Sequence, residues 1–170
     1  MNVVKAKESA AKSVTFAAVL GLMACTGDVA QAADGPFALF AGNWSGNGTI
    51  TVQNGSRERI RCRGQYVVGH PSSKLSLSLR CASDSYKVEL QSDISYDRGI
   101  ISGSWNEASR QVFGQLGGRA TANRIDAKVS SVGFDAALSL TARGNRQDVS
   151  IRSPGSEISE VAISMSRGGR

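Results

Sequence analysis

The sequence predicts an all-β fold, an antiparallel up-and-down meander of about eight to ten short strands with one disulfide bond. Beyond Pro36, apolar residues alternate with polar ones in one segment after another, and no stretch keeps the 3.6-residue apolar period of a helix. Gly, Asn, Asp and Ser separate these segments, as turns require. Two cysteines, Cys62 and Cys81, lie in neighbouring segments.

Residues 1–32 have the pattern of a signal peptide. Lys5, Lys7 and Lys12 precede an apolar run over 14–24, and Ala30-Gln31-Ala32 then supplies a cleavage site. The apolar run is too short to span a bilayer, which takes about 20 residues. The sequence therefore predicts export to the periplasm or to the outside of the cell.

The cleavage point has a second interpretation. Leu22-Met23-Ala24-Cys25 resembles a bacterial lipobox, in which cleavage precedes the cysteine and the cysteine carries a lipid. Cys25 would then anchor the protein to a membrane. With either cleavage, Cys62 and Cys81 remain as an even pair in an oxidising compartment. The predicted boundaries are an N-terminal extension over 33–41 and a single domain over 42–170.

The first half of the domain contains four predicted strands, over 44–53, 57–68, 74–82 and 86–94. The first places Ile50 and Val52 on one face, and Asn54-Gly55 then marks a hairpin turn. Each of the next three strands collects its large apolar residues on one face. These rows are Ile60, Cys62, Tyr66 and Val68; Leu75, Leu77, Leu79 and Cys81; and Tyr86, Val88 and Leu90.

The second half continues with six further segments, over 100–105, 112–116, 124–130, 133–143, 147–152 and 160–167. The clearest apolar row among them is Phe134, Ala136, Leu138, Leu140 and Ala142. Closing the meander into a barrel would leave no unpaired edge strand. A closed barrel is therefore predicted, with a β-sandwich as the alternative.

The cysteine pair fixes the predicted register of the second and third strands. If Cys62 lies opposite Cys81, then Tyr66 faces Leu77, and the apolar faces of the two strands match. A slip of one residue would destroy this match. We predict a structural cross-strand disulfide, because nothing resembles the Cys-x-x-Cys pattern of a redox-active pair.

The start of the first strand resembles the calycin superfamily, which includes lipocalins and avidins. Gly42-Asn43-Trp44 matches its Gly-x-Trp pattern, Gly46 and Gly48 follow, and Arg167 stands near the end of the last strand. The resemblance implies that Trp44 packs beneath Arg167 and closes one end of a barrel. A cation over an indole face is favourable by roughly 0.5–2 kcal/mol.

A calycin-like barrel would be lined by the apolar faces of its strands. The candidate ligand-lining residues are Tyr66, Val68, Leu75, Leu77, Val88, Leu90, Leu138 and Leu140. We predict an exported, non-enzymatic protein that binds a small apolar ligand in the barrel or acts at the cell envelope. A barrel of this size either holds one small ligand or is filled by side chains, so both interiors stay open here.

No pattern of catalytic or metal-binding residues stands out, so no catalytic residue, metal or cofactor is predicted. The single histidine, His70, falls in the predicted loop between the second and third strands. Glu107 and Arg110 are expected to form a surface ion pair across a turn, worth at most about 1 kcal/mol. A small enzyme with an unrecognised site remains a further hypothesis.

The chain carries a net charge of +6, and its basic residues include a row on the second strand. Arg57, Arg59, Arg61 and Arg63 occupy alternate positions, and Arg80 falls on the corresponding face of the third strand. Three interpretations stay open: a solvated outer face, a contact with anionic lipid, lipopolysaccharide or acidic polysaccharide of the envelope, or an anion site inside the barrel. Nucleic acid is not expected, because no aromatic residues interleave with the arginines to stack on bases.

Overall fold

The computed structural model describes residues 35–168. The predicted signal peptide, with the alternative lipidation site Cys25 and the cleavage site after Ala32, lies outside the described residues. Within them, a short 3-10 helix, Ala38–Phe40, precedes ten strands. The strands are β1 (Gly42–Val52), β2 (Arg57–Val68), β3 (Lys74–Ala82), β4 (Lys87–Asp97), β5 (Ile100–Glu107), β6 (Val112–Ala120), β7 (Arg124–Ser131), β8 (Phe134–Arg143), β9 (Arg146–Arg152) and β10 (Ile158–Arg167).

The strands form one closed antiparallel barrel. Each strand pairs with the next along the chain, and β1 closes the ring by pairing with β10. The predicted meander is confirmed, and the closure excludes the β-sandwich alternative. Among residues 35–168, no helix is long and apolar enough to cross a bilayer.

The register of β2 and β3 is the one that the cysteines predict. Cys62 lies opposite Cys81 and Tyr66 lies opposite Leu77. The two cysteines form a disulfide bond, with their Cα atoms 4.1 Å apart. The predicted cross-strand disulfide is therefore confirmed.

Side-chain alternation separates the barrel interior from the solvent. In β2, Ile60, Cys62 and Tyr66 are buried, whereas the arginines between them are exposed. Buried residues from all ten strands and from the short helix form one hydrophobic core. The hypothesis of an anion site inside the barrel is wrong for these arginines, because the strand alternation points their side chains outward.

The segment before β1 contributes to the core, which the sequence analysis did not predict. Phe37 and Phe40 are both 0% exposed. Phe37 also packs edge-on against Tyr96 of β4, with 6.2 Å between the ring centroids. The described part of the predicted extension therefore covers one end of the barrel. A segment this short has no apolar period that would reveal its packing.

Replacing both Cys62 and Cys81 by Ala is expected to lower the free energy of unfolding by about 3 kcal/mol, as the chain-entropy model gives for a loop of this size. The crosslinked residues are 19 apart in sequence, so the bond restricts the unfolded chain. Urea unfolding of the parent and the double variant measures the difference. Reductant should destabilise the parent and leave the variant unchanged; equal stability of the two proteins would contradict a structural role.

Candidate functional site: the barrel interior

One end of the barrel is closed by the short helix and the start of β1. The guanidinium carbon of Arg167 lies 4.7 Å from the centroid of the Trp44 ring. Trp44 Nε1 donates to the carbonyl oxygen of Phe40 at 2.8 Å, and Arg167 Nη2 donates to that of Leu39 at 2.7 Å. Trp44 and Arg167 thus contact each other and also hold the segment that stops this end, which we call the floor.

Glycines at the start of β1 allow this closure. Gly42 has a φ of +115°, a conformation that L side chains rarely adopt, and it leads the chain from the floor segment into β1. A Cβ on Gly46 would lie 2.0 Å from the carbonyl oxygen of Ser164, so β1 and β10 approach each other closely there. The glycines around Trp44 therefore meet backbone requirements of the two strands that close the barrel.

The opposite end, which we call the mouth, is lined by apolar side chains that point inward but are only half-buried. The turns that follow β1, β3, β5, β7 and β9 surround it. These half-buried residues are Val52, Val88, Leu90, Val112, Val129, Phe134, Ile151, Ile158 and Val161. Near the floor, by contrast, Leu75, Ile101 and Met165 are each 1% exposed. The interior is therefore closed at the floor, and at the mouth its half-buried apolar side chains lie mainly on β4 to β9.

The eight predicted lining residues all lie in the barrel core or pack against it. Tyr66, Leu75 and Leu140 are buried; Val68, Leu77, Val88, Leu90 and Leu138 are half-buried. Strand pairing brings Leu138 between Ala127 and Ile151, halfway along the barrel. The strand alternation read from the sequence thus places these residues together on the inner face.

Trp105 provides an aromatic surface inside the barrel that the sequence analysis did not assign. It packs over Gly114 of β6, where a Cβ would lie 2.8 Å from the indole ring. Its ring centroid is 6.0 Å from that of Phe134 in an edge-to-face arrangement, and its Nε1 donates to the Gln115 carbonyl at 3.2 Å. The sequence has a tryptophan in one predicted strand and a glycine in the next. Only the strand register shows that Trp105 lies opposite Gly114.

Gln147 and Tyr66 place polar atoms inside this apolar interior. Gln147 is 0% exposed, and within residues 35–168 neither polar atom of its amide has a hydrogen-bond partner of normal geometry. Burial raises the pKa of Tyr66 to about 12, and the neighbouring Gln147 side chain only partly offsets this effect. The phenol therefore keeps its proton at neutral pH. A buried polar group without a partner costs about 1–3 kcal/mol.

Glu107 carries a buried carboxylate at the mouth end of β5. The carboxylate accepts hydrogen bonds from the backbone N–H groups of Glu89, Ser109 and Arg110 and from the Ser109 hydroxyl. Burial by itself would raise the pKa of Glu107, but these hydrogen bonds outweigh it and lower the pKa. The expected ion pair with Arg110 exists at 3.5 Å. Its acidic partner is buried, not on the surface, and holds the turn between β5 and β6.

Two loops meet over the mouth. The Tyr86 hydroxyl donates to Glu157 Oε1 at 3.2 Å, and the backbone N–H of Ser85 donates to Glu58 Oε1 at 2.8 Å. Tyr86 precedes β4 and Glu157 precedes β10, so the first hydrogen bond spans the three intervening strands of the ring. The entrance is therefore covered on the β1–β3 side.

The other predicted site residues lie outside the barrel interior. His70 is exposed in the loop between β2 and β3. The arginines of the basic row, Arg57, Arg59, Arg61, Arg63 and Arg80, are exposed on the outer faces of β2 and β3. Over the part of the chain that the structure describes, no group of three or more His, Cys, Asp or Glu residues could hold a metal ion.

These features define the chain as a ten-stranded closed antiparallel β-barrel. No protein-family model and no curated protein matches the sequence. Among solved structures, Rv2717c from M. tuberculosis is similar with a TM-score of 0.60 at 12% identity, over 78% of this chain and 95% of that one. The S-type phycobiliprotein lyase CPES from Guillardia theta gives 0.52 at 10%, over 79% and 91%. At these identities the likeness shows the fold alone.

Stability is expected to fall in acid partly through Glu107. Its folded-state pKa is lowered, so its contribution is present above the ordinary pKa of glutamate and is lost as the pH falls through the folded pKa. Glu107→Gln should cost about 1–3 kcal/mol at neutral pH and make the unfolding free energy less dependent on pH. Urea unfolding at about pH 7 and about pH 3 tests this. An unchanged pH dependence would show that the hydrogen bonds do not stabilise the charged form.

Proposed function

We propose that the protein binds one small, mainly apolar ligand inside the barrel, through the mouth, and that it does so without catalysis. The observation that carries the proposal is the contrast between the two ends. On β4 to β9 the inward aliphatic side chains are mostly buried near the floor and half-buried toward the mouth, whereas on β1 to β3 Ile50 and Ile60 are buried toward the mouth as well. A filled, close-packed core would bury both sets, so the accessible apolar surface is where a ligand gains most from leaving water.

The polar atoms inside the barrel give the ligand an orientation. Gln147 belongs to the floor end of β9, where it pairs with Ala142 and Met165. Its amide makes no hydrogen bond of normal geometry, so beside the neutral Tyr66 phenol it offers both a donor and an acceptor. A ligand with one hydrogen-bonding end and an apolar tail would satisfy the amide at the floor and fill the mouth with its tail.

The state of the buried polar groups supports binding over catalysis. The Glu107 carboxylate already accepts four hydrogen bonds, and the Tyr66 phenol keeps its proton. Neither group is poised to exchange a proton with a substrate at neutral pH. The two structural neighbours share the fold at 12% and 10% identity. At such identities they indicate neither a ligand nor a reaction for this chain.

We further propose that the protein acts outside the cytoplasm, at or near the cell envelope. The N-terminal sequence pattern supports this location. The disulfide between Cys62 and Cys81 supports it independently, because such bonds persist mainly in oxidising compartments.

Leu138→Trp is expected to weaken ligand binding by at least about tenfold, since the indole would occupy the space proposed for the ligand. Its unfolding free energy should stay within about 1 kcal/mol of the parent, because a barrel with room for a ligand also has room for the added ring. Titration with a fluorescent fatty acid measures the affinity. The matched control is Ala137→Trp, which adds the same ring at the neighbouring exposed position of β8 and should bind as the parent does.

If side chains fill the interior, the two tryptophan variants are expected to behave differently. Leu138→Trp would then be overpacked and lose about 1–3 kcal/mol of stability, whereas Ala137→Trp would not. That loss, together with native mass spectra showing no ligand in protein purified from its host, would overturn the proposed function.

Gln147→Met tests the orientation separately, because it replaces the amide with an apolar chain of similar size. The free protein should gain about 1 kcal/mol of stability as the unpaired polar group is removed. Affinity for a long-chain alcohol should fall about tenfold, whereas affinity for the alkane of equal length should not change. Gln115→Met, on the outside of β6, is the control. Equal losses for the alcohol and the alkane would contradict a polar contact at Gln147.

A further inference from the structure

The outer surface of β1, β2 and β3 has positive charge, and the carboxylate opposite Arg80, Glu89 of β4, forms its ion pair with Lys87. Arg57, Arg59, Arg61, Arg63 and Arg80 are exposed there, and no Asp or Glu faces outward from these three strands. None of these arginines makes an ion pair within residues 35–168. Elsewhere, Arg98, Arg110, Arg124, Arg146 and Arg152 each pair with an Asp or Glu. Among the described residues, the β2–β3 arginines therefore form a continuous patch of unpaired positive charge.

Strand pairing brings three of these arginines close together. Arg63 lies directly opposite Arg80 in the β2–β3 register, and paired residues of antiparallel strands have Cα atoms within about 5.5 Å. Arg61 lies two residues away on the same face, about 7 Å along the strand. Like charges placed directly opposite each other destabilise a sheet. An anion that bridged the guanidinium groups would offset this repulsion.

The three arginines line an open depression on the outer surface, with a volume of about 1130 Å³. Its other outward-facing residues are Asn43, Ser45, Asn47, Gln65, Ser78, Ala82, Lys87 and Glu89. Lys87 and Glu89 neutralise each other at 3.0 Å, so Arg61, Arg63 and Arg80 supply its net charge. The uncharged members, mainly amides and hydroxyls, are the hydrogen-bonding groups that suit sugar hydroxyls.

We propose that this depression binds a linear acidic polysaccharide. Its carboxylates or sulfates would pair with Arg61, Arg63 and Arg80, and its hydroxyl groups with the neighbouring amides and serines. Planar guanidinium groups bind such oxyanions through two parallel hydrogen bonds. The row continues along β2 through Arg59 to Arg57, a run of about 20 Å from Arg63. An extended chain with repeated negative charges fits this track, and the site is independent of the barrel interior.

The surroundings favour a polysaccharide over a membrane or a nucleic acid. None of the exposed large apolar residues, Leu39, Val67, Ile100, Phe113 and Val132, lines the depression. No aromatic side chain faces outward there, because Trp44 is 2% exposed and points into the barrel. The surface therefore lacks both the apolar anchors of a lipid contact and the stacking surface for bases.

Titration of the purified protein with an oligogalacturonate tests the proposal. Binding should weaken as salt is added, and a neutral dextran of the same length should not bind. The variant Arg61→Gln, Arg63→Gln, Arg80→Gln should lose about tenfold or more in affinity, since it removes three charge-assisted contacts. It should remain folded, because it relieves the repulsion between Arg63 and Arg80.

The matched control removes three exposed arginines that are ion-paired elsewhere on the barrel. Arg124→Gln, Arg146→Gln, Arg152→Gln changes the net charge by the same amount and should alter the affinity by less than about twofold. Equal losses of affinity in both variants would show that net charge alone determines binding, and would overturn the site. Absence of oligogalacturonate binding at low salt would overturn it as well. Tighter binding to phosphatidylglycerol vesicles than to oligogalacturonate would replace the polysaccharide with a lipid surface. Leu138→Trp should leave oligogalacturonate binding unchanged, which separates this site from the barrel ligand.

Discussion

The pairing of β1 with β10 is the contact on which the rest of the structure depends. It turns a linear meander into a ring without free edges, and it joins residues at the two ends of the domain, such as Trp44 and Arg167. The close approach of the two strands requires glycine in β1, as the contact of Gly46 with the Ser164 carbonyl shows. Once the ring is closed, every strand has one face toward a shared interior and one toward solvent.

Closure also makes the two ends unequal. The segment before β1 is held at one end by hydrogen bonds from Trp44 and Arg167 to its carbonyl oxygens, and its phenylalanines complete the floor. Within residues 35–168 the other end is covered only on the β1–β3 side, by loop contacts of Tyr86 and Ser85, and elsewhere its hairpin turns surround half-buried apolar side chains. The proposed ligand site follows from this difference, because apolar surface that remains accessible inside a barrel is stabilised when a ligand removes it from water.

The alternation of inward and outward side chains that builds the core also places the arginines on the outer surface. Four arginines at every second position of β2 fall on the outside, and the β2–β3 register adds Arg80 beside Arg63. Ion pairs on other strands leave those surfaces closer to neutral. The barrel thus has two separate surfaces with different chemistry, an apolar interior and a basic outer depression, which support two independent binding proposals.

The sequence by itself determined the strands, the disulfide and the inner and outer faces. Each of these depends on residues that are neighbours in the chain or in one hairpin: the period of two fixes the faces, and Cys62 with Cys81 fixes one register. The tertiary structure alone decided between the predicted barrel and its sandwich alternative, and it placed Phe37 and Phe40 in the floor and the Gln147 amide beside Tyr66. It also decided that Glu107 is buried and that Trp105 packs over Gly114. These features join residues from different strands or from outside the strands. Such contacts form only once the barrel has closed, so the alternation of residues within one strand cannot predict them.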